Sequence, residues 1–286
     1  FFNQTPPSEI LSGLVGSEMC IRDRFGSYRD TPKCTIFGSA RIKSGEPAYE
    51  CAKNFARQIA DRDWMVITGA GPGIMEAGHE GAGAAQSFGV NIMLPFEASA
   101  NEYIAEDPKL INFKYFFTRK VMFMKESEAY VLLPGGFGTM DESFELLTLI
   151  QTGKTAPAPV VLLDEPGGTY WDHWYDFVTT ELANAGLISP DDMCLVRVAH
   201  TVEEAVDEVC NFYRMMQVLS DILGLDSRAE VMRLRKEAEN AADLLGKPFQ
   251  ARLRDQYENL GIAVPKKYSK LDSPPARATN AGSEEE

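Results

Sequence analysis

Short apolar runs alternate with amphipathic segments from residue 33 to residue 213, and this alternation strongly limits the fold. The runs have the length and the β-branched content of buried strands, and the segments between them have helical periodicity. Strands that alternate with helices through short connections form a parallel sheet with helices on both faces. The chain is therefore predicted to be an α/β protein with a doubly wound, Rossmann-like sheet. The strand-like runs are 34–37, 64–67, 89–95, 110–117, 129–133, 159–164 and 193–198.

Three of these runs end in turns of glycine and other small residues that lead into a helical segment, at 38–41, 68–74 and 134–139. In an open α/β sheet, ligands bind beyond the carboxyl ends of the strands. The unpaired amides and the positive dipole end of a helix start favour an anion such as phosphate. We expect the three turns to converge on one edge of the sheet and to bind a phosphate group.

The turn at 134–139 contains Gly135, Gly136 and Gly138, which let the backbone turn sharply and leave its amides open to a ligand. The spacing Thr139-x-x-Glu142 is also that of a capping box, with Thr139 as the N-cap and Glu142 at the third helical position. A capping box explains Thr139 and Glu142 but not the three glycines. Both interpretations stay open on the sequence alone.

The turn at 68–74 has the spacing G-x-G-x-G, and Ile74 stands where a dinucleotide-binding fingerprint has its last glycine. This departure disfavours a nicotinamide cofactor and favours a phosphate at a helix start. The turn Gly38-Ser39-Ala40-Arg41 is either a phosphate-side turn or an ordinary loop with a solvated Arg41.

Two adjacent cations, Arg119 and Lys120, follow the aromatic run 110–117. Thr118 is predicted to cap a helix here, which would place both cations in its first turn. Cations are unfavourable at that end of a helix dipole. Such a local conflict indicates a functional site, although a solvated basic pair is the alternative.

The chain divides into four predicted segments. Residues 1–24 resemble a translated sequencing-adapter remnant and show no signal peptide, so residues 1–32 are expected to lie outside the fold. The α/β domain covers 33–214. Appended helices at 215–268 are expected to cover this domain or a partner subunit, and 269–286 is expected to be a disordered acidic tail.

The composition excludes several classes of function. A formal charge of −14 argues against duplex DNA or RNA as a partner, and no apolar run is long enough for a transmembrane helix. The five cysteines are odd in number and form no C-x-x-C pair, which favours free thiols in a reducing, cytoplasmic compartment. The three histidines lack the spacing of metal ligands, so no metal is expected.

The motif from Pro134 to Glu142, preceded by Gly69–Glu76 and by Arg119-Lys120, resembles the Lonely Guy (LOG) family. These nucleoside 5′-monophosphate phosphoribohydrolases release cytokinin or other nucleobases, and they are often labelled lysine decarboxylases. The resemblance covers Cys34 to Tyr213. Ala70 stands where many members have glycine, and an alanine fits there if its φ is negative.

Two longer strings, Gly38–Arg41 and Leu147–Lys154, resemble the long bacterial branch of this family. The resemblance implies a homodimer that hydrolyses a cytokinin ribotide or an AMP-like nucleotide without a metal or an organic cofactor. It implies that Glu142 stabilises positive charge on the ribose and activates water, while Arg119 orients the carboxylate and the substrate. The implied phosphate, ribose or base contacts are Ser39, Gly71, Gly73, Glu97, Lys120, Gly135, Gly136, Gly138, Thr139 and Thr148.

Two other functions are consistent with parts of the sequence. A non-catalytic nucleotide-binding or carrier protein of the same fold would use the glycine turns but would not need Arg119 and Glu142 as a pair. A pyridoxal-dependent decarboxylase would need a Schiff-base lysine, and no motif singles out Lys120, Lys125 or Lys154 for that role.

Overall fold

The computed structural model describes residues 24–93, 100–155 and 158–223, with only the backbone of Pro190 and of 215–223. Within these residues, seven strands form one parallel sheet in the order β4-β3-β2-β1-β5-β6-β7. The strands are β1 (Lys33–Phe37), β2 (Met65–Thr68), β3 (Ser87–Ile92), β4 (Leu110–Phe113), β5 (Ala129–Leu132), β6 (Val160–Leu163) and β7 (Val196–Ala199).

Helices connect most of the successive strands, which confirms the predicted α/β class; between β3 and β4 the described residues 100–109 form turns. The helices are α1 (Pro47–Ala60), α2 (Ile74–Ala82), α3 (Phe116–Glu126), α4 (Phe137–Gln151), α5 (Tyr170–Phe177) and α6 (Val202–Leu223). Two 3₁₀ turns, Ala84–Gln86 and Pro190–Leu195, and a π-helical segment, Val178–Ala183, complete the regular structure. None of the helices in the described part of the chain is long and apolar enough to span a membrane.

The strand order reverses between β1 and β5, which lie side by side at the centre of the sheet. Their register aligns Phe37 with Leu132, so both strands end at the same level. Connections that leave neighbouring strands in opposite directions open a crevice at the carboxyl edge of the sheet, where ligands bind in this architecture. The topology therefore places the turn at 38–41 beside the turn at 134–139.

The central strands are buried on both faces, as their near-continuous apolar sequences predict. Residues 24–32, which were expected to lie outside the fold, contribute Phe25 to the core: its ring is stacked on Phe88 with centroids 4.3 Å apart.

Contacts within the chain define one unit that ends at Cys210 and a second that begins at Asn211. Helix α6 is continuous across the predicted boundary after residue 214.

The structure corrects the start of α3. The strand predicted over 110–117 ends at Phe113, because its partner β3 pairs with it only over Leu110–Phe113. The helix begins at Phe116 with Tyr115 as its N-cap. Thr118 is therefore inside the helix, where its hydroxyl donates to the Tyr115 carbonyl (2.8 Å), and it is not the cap. Arg119 and Lys120 consequently lie beyond the first three helical positions.

The α-helical geometry ends early in two segments. Helix α2 ends at Ala82, and the residues after it form a 3₁₀ turn and the start of β3. Helix α5 is α-helical only to Phe177 and continues as a π-helical segment. Helix α6 has a side-chain cap, since the Thr201 hydroxyl accepts a hydrogen bond from the Glu204 amide (3.2 Å).

The turn after β2 contains a left-handed alanine. Ala70 has φ +61°, so the condition of a negative φ, under which an alanine was expected to fit here, is not met. Two hydrogen bonds hold the residue in place: its amide donates to the Thr68 hydroxyl (3.0 Å), and its carbonyl accepts from the Asn101 amide (2.8 Å). These fixed partners sustain a conformation that costs an L-residue about 1–2 kcal/mol.

Gly73, the N-cap of α2, joins this turn to the turn after β1. It has φ +70°, and a Cβ atom here would overlap the Ser39 carbonyl oxygen and lie 2.9 Å from the Ala40 Cα. The same Ser39 carbonyl accepts a hydrogen bond from the Ile74 amide (3.0 Å). Gly73 is therefore required both by its dihedral angle and by the closeness of the neighbouring turn.

Gly73→Ala should destabilise the protein more than Gly83→Ala does. Gly83 also has a left-handed φ, +75°, but a Cβ there meets nothing within 4 Å. Both variants place an L-residue at a positive φ outside the left-handed helical region, which costs on the order of 1–3 kcal/mol, and only Gly73→Ala adds overlap with rigid main chain, worth a further ~1–3 kcal/mol. Urea unfolding of the two variants measures the difference, and equal free energies of unfolding would contradict this packing.

Candidate functional site

A cavity of about 830 Å³ lies at the carboxyl edge of the sheet, beside the ends of β1 and β5. The turn after β1 contributes Gly38–Arg41, the turn after β2 contributes Gly69, and the turn after β5 contributes Gly135–Thr139. The structure thus brings the three predicted turns to one edge. Apolar side chains form much of the remaining wall: Phe37, Met75, Ile92, Phe116 and Phe123.

An ion pair between Arg119 of α3 and Glu142 of α4 lies in the wall of this cavity. The Arg119 Nη2 atom donates to Glu142 Oε1 at 3.2 Å, and the side chains are 14% and 7% exposed. The Arg119 guanidinium carbon lies 5.1 Å from the ring centroid of Phe116 and 5.6 Å from that of Phe123. Aromatic faces at this distance attract and fix a cation, so Arg119 holds the carboxylate in one orientation.

The second oxygen of Glu142, Oε2, is buried and has no hydrogen-bond partner among the described residues. Burial raises the pKa of this carboxyl above its ordinary value, while the positive charges of Lys120 and Arg119 oppose the rise. The Lys120 Nζ atom is 3.9 Å from Oε2, which is an ion pair but not a hydrogen bond. Glu142 therefore presents a buried carboxylate oxygen that can accept a proton or a hydrogen bond.

The capping box of Thr139 and Glu142 is not formed. Helix α4 begins at Phe137 with Gly136 as its N-cap, and no side chain caps it. The amide of Met140 already bonds to the Gly136 carbonyl (3.1 Å), so Thr139 is inside the first turn. With the helix starting three residues earlier than a Thr139 cap requires, Glu142 bonds Arg119 instead.

The three positions at the start of α4 that hold glycine differ in whether packing requires a residue without a side chain. A Cβ on Gly135 would overlap the Thr139 hydroxyl, so packing within the protein excludes a side chain there. A Cβ on Gly136 or on Gly138 meets nothing within 4 Å, and neither residue has a positive φ. Packing does not require glycine at these two positions, which line the cavity. Glycine at these positions leaves the first-turn amides open on the side of the cavity.

Tyr170 is a cavity residue that the sequence analysis did not identify. Its hydroxyl donates to the Gly135 carbonyl at 2.5 Å, and burial raises its pKa. It is the first residue of α5, which follows the strand beside β5. That position at the carboxyl edge is a usable signal, but it becomes visible only when the strand order is known. The apolar wall residues have no motif that could mark them.

Other predicted site residues lie outside the cavity or outside the described residues. Gly71 accepts a hydrogen bond from the Asn101 side chain on its carbonyl (3.0 Å), and it does not line the cavity. Gly73 packs against the turn after β1 rather than facing the cavity. Glu97 belongs to the residues that the structure does not describe.

Lys120 and Thr148 are also placed away from the cavity lining. The Lys120 ammonium pairs with Asp141 (2.7 Å) and Glu145 (2.6 Å) on α4. Thr148 donates to the Phe144 carbonyl (2.7 Å) and lines a separate small groove. Lys120 therefore contributes its charge near Glu142 from behind the wall, and Thr148 faces a different part of the surface.

The cavity does not offer a lysine for an aldimine with pyridoxal phosphate. Lys120, Lys125 and Lys154 are all absent from its described lining. A group with metal-binding donor atoms exists elsewhere: one atom each of Asp164, Asp172 and His200 lie within 4.8 Å of one another. The Asp164 carboxylate accepts the Trp171 amide (2.9 Å) at the start of α5. This bond gives Asp164 a structural function.

Comparison with known proteins agrees with the resemblance seen in the motifs. Residues 73–209 match the model of a family described as "Possible lysine decarboxylase". The probable cytokinin riboside 5′-monophosphate phosphoribohydrolase LOGL3 of rice is 33% identical over 91 residues, which cover 32% of this chain and only 41% of the rice protein. The phosphoribohydrolase LOG3 of Arabidopsis thaliana is 26% identical, covering 62% of this chain and 80% of its own length.

Among solved structures, the molybdenum cofactor carrier protein of Chlamydomonas reinhardtii is 24% identical to the chain. The alignment covers 64% of this chain and 98% of that protein, with a TM-score of 0.46.

Gly138→Ala should separate stability from ligand binding. Alanine is favoured over glycine in a helix by about 1 kcal/mol, and its Cβ meets no protein atom here, so the free energy of unfolding should rise slightly. The same methyl group would hold a phosphate away from the amides, so calorimetry should detect weaker binding of inorganic phosphate. Gly135→Ala is the matched control and should lose stability. Unchanged phosphate affinity in Gly138→Ala would argue against this cradle.

Proposed function

We propose that this chain, which is similar to the LOG phosphoribohydrolases, hydrolyses the N-glycosidic bond of nucleoside 5′-monophosphates. The products would be the free base and ribose 5-phosphate. The buried Arg119–Glu142 ion pair in the cavity wall carries the proposal. A protein that only bound or carried nucleotides would use the glycine turn but would not need, beside it, a buried carboxylate with an oxygen that accepts no hydrogen bond from the described residues.

The cavity has a region suited to each part of such a substrate. The amides at the start of α4, with Ser39 nearby, would bind the 5′-phosphate. The aromatic and aliphatic wall formed by Phe37, Ile92 and Phe123 would pack against a flat heterocyclic base. The ribose would then lie between these two regions, next to Glu142.

Cleavage of the bond develops positive charge on the ribose as the base leaves with the bonding electron pair. The Glu142 carboxylate would stabilise this charge and would take a proton from the water that attacks the anomeric carbon. The proton that the departing base needs would come from solvent. Arg119 would keep the carboxylate ionised and correctly oriented, and its planar side chain is already fixed between two phenylalanine rings.

The proposal extends to the substrate, the oligomeric state and the cofactor requirement that the family resemblance implies. Cytokinin ribotides and AMP-like nucleotides are the substrate candidates, since the relatives' names specify cytokinin riboside 5′-monophosphates. We also propose a homodimer that needs no metal or organic cofactor. The wall residues of the cavity would set the preference for one base over another.

Incubation with a panel of purine and pyrimidine 5′-monophosphates and cytokinin ribotides should release free base and ribose 5-phosphate. Glu142→Gln should reduce this activity by roughly 100-fold or more, because the amide cannot take a proton. Glu145→Gln, one turn further along α4 and 39% exposed, is the matched control and should retain most activity. Chromatography of the released base measures both variants, and circular dichroism checks their folds.

Three outcomes of this experiment would be decisive. Full activity in Glu142→Gln would remove that residue from the mechanism. Nucleotide binding without base release from any member of the panel would favour the carrier alternative. Absence of both binding and release would exclude nucleotides as ligands of the cavity.

The pH dependence of kcat/KM should report the ionisation of Glu142. Because burial raises its pKa and the reaction needs the ionised form, activity should fall on the acid side at a pH above the usual glutamate range. Lys120 lowers this pKa, so Lys120→Met should move the acid limb to higher pH. Lys125→Met, at the exposed end of the same helix, should leave it in place. An acid limb that does not move in Lys120→Met would contradict this assignment.

A further inference from the structure

The positive charges around the cavity are not equally available to a ligand. Two arginines, Arg41 and Arg119, line it. Arg119 is already paired with Glu142 inside the wall, and Lys120, behind the wall, is paired with Asp141 and Glu145. Arg41 is exposed and forms no ion pair within 4.0 Å in the part of the chain that the structure describes. It is therefore the uncompensated cation of the described cavity lining.

The position of Arg41 is fixed by the contact between two turns. The Ser39 amide donates to the Pro134 carbonyl (3.1 Å), which holds the turn after β1 against the glycine turn. The Ser39 hydroxyl accepts the amide of Arg41 (3.1 Å), so the backbone of Arg41 is tied to the same contact. Its side chain lines the same cavity as Gly136 and Gly138 at the beginning of α4.

We propose that Arg41 is the specificity residue that selects a phosphorylated substrate by pairing with the 5′-phosphate dianion. This inference rests on the proposed function and concerns the same cavity. Of the two arginines in the described cavity lining, Arg119 forms an ion pair with the Glu142 carboxylate, whereas Arg41 forms no ion pair with the described residues. The selected ligand class is a phosphate monoester of ribose, as opposed to an uncharged nucleoside.

The charge balance explains why a free cation is needed. A phosphate monoester carries about −1.5 to −2 charges at neutral pH, and a helix start supplies only about half a positive charge. The whole chain has a formal charge of −14, which opposes the approach of an anion. A guanidinium can form two parallel hydrogen bonds to phosphate oxygens and thereby adds geometric selectivity. Arg41 therefore provides a local attraction that opposes the net negative charge of the chain.

The test compares Arg41→Gln with Arg62→Gln, which makes the same change of charge at an exposed arginine after α1, away from the cavity lining. Calorimetry measures the Kd of ribose 5-phosphate, a probe that needs no turnover. Arg41→Gln should raise this Kd about tenfold or more, and Arg62→Gln should leave it unchanged. Circular dichroism and urea unfolding verify that both variants are folded.

Kinetics with the full chain provide a second readout. Arg41→Gln should raise KM for a 5′-monophosphate by about tenfold while kcat changes little, because the lost contact is to the unreacting end of the substrate. The affinity for the corresponding nucleoside should not change. Raising the salt concentration should weaken nucleotide binding less in Arg41→Gln than in the unaltered protein, since screening acts on the charge pair.

The outcomes distinguish this inference from the proposed function. If ribose 5-phosphate binds and Arg41→Gln weakens that binding while no nucleotide loses its base, the proposed hydrolysis is wrong and the role of Arg41 stands. If base is released but Arg41→Gln binds ribose 5-phosphate as tightly as the unaltered chain, the inference is overturned. Equal losses for nucleoside and nucleotide would place Arg41 at the base, and failure of the unaltered chain to bind ribose 5-phosphate would also overturn it.

Discussion

The pairing of β1 with β5 is the constraint on which the arrangement of the site depends. The register aligns the last residues of the two strands, and the Ser39 amide then bonds to the Pro134 carbonyl just beyond them. Because the strand order reverses here, the turn after β1 and the turn after β5 meet at the mouth of a crevice. The glycine turn, the start of α4 and Arg41 all take their positions from this one pairing.

The buried ion pair is the second element of the arrangement, and its cost makes it informative. Removing one partner from a buried pair typically costs about 3–5 kcal/mol, whereas replacing both by apolar residues is often neutral. A pair with side chains only 14% and 7% exposed, in which one Glu142 oxygen accepts no hydrogen bond from the part of the chain that the structure describes, is thus a poor device for stability alone. The proposed hydrolysis would give this pair a role, and the aromatic rings beside Arg119 restrict its geometry.

Local pattern was sufficient for some features and misleading for others. The apolar runs predicted the strands within a few residues because a parallel sheet is buried on both faces. Consecutive side chains of a strand must then be apolar, which makes the strand visible in the sequence. Helix starts were less reliable. Thr118 and Thr139 both have the sequence of a cap, yet α3 and α4 begin three residues before those positions would allow. The residues at the actual starts, Tyr115 and Phe116 of α3 and Gly136 and Phe137 of α4, form no capping motif that could be recognised in the sequence.

The sequence by itself determined the α/β class and the three turns, and it identified Arg119 and Glu142 as a candidate pair, because periodicity and short motifs are local properties. Tertiary structure decided which residues share the cavity. The sequence motifs include Gly71, Gly73 and Thr148, but these residues lie outside the cavity lining. Tyr170, on the helix after β6, belongs to the lining although no motif marks it. Strand order and helix register fix such relations, and both depend on contacts between residues far apart in the chain.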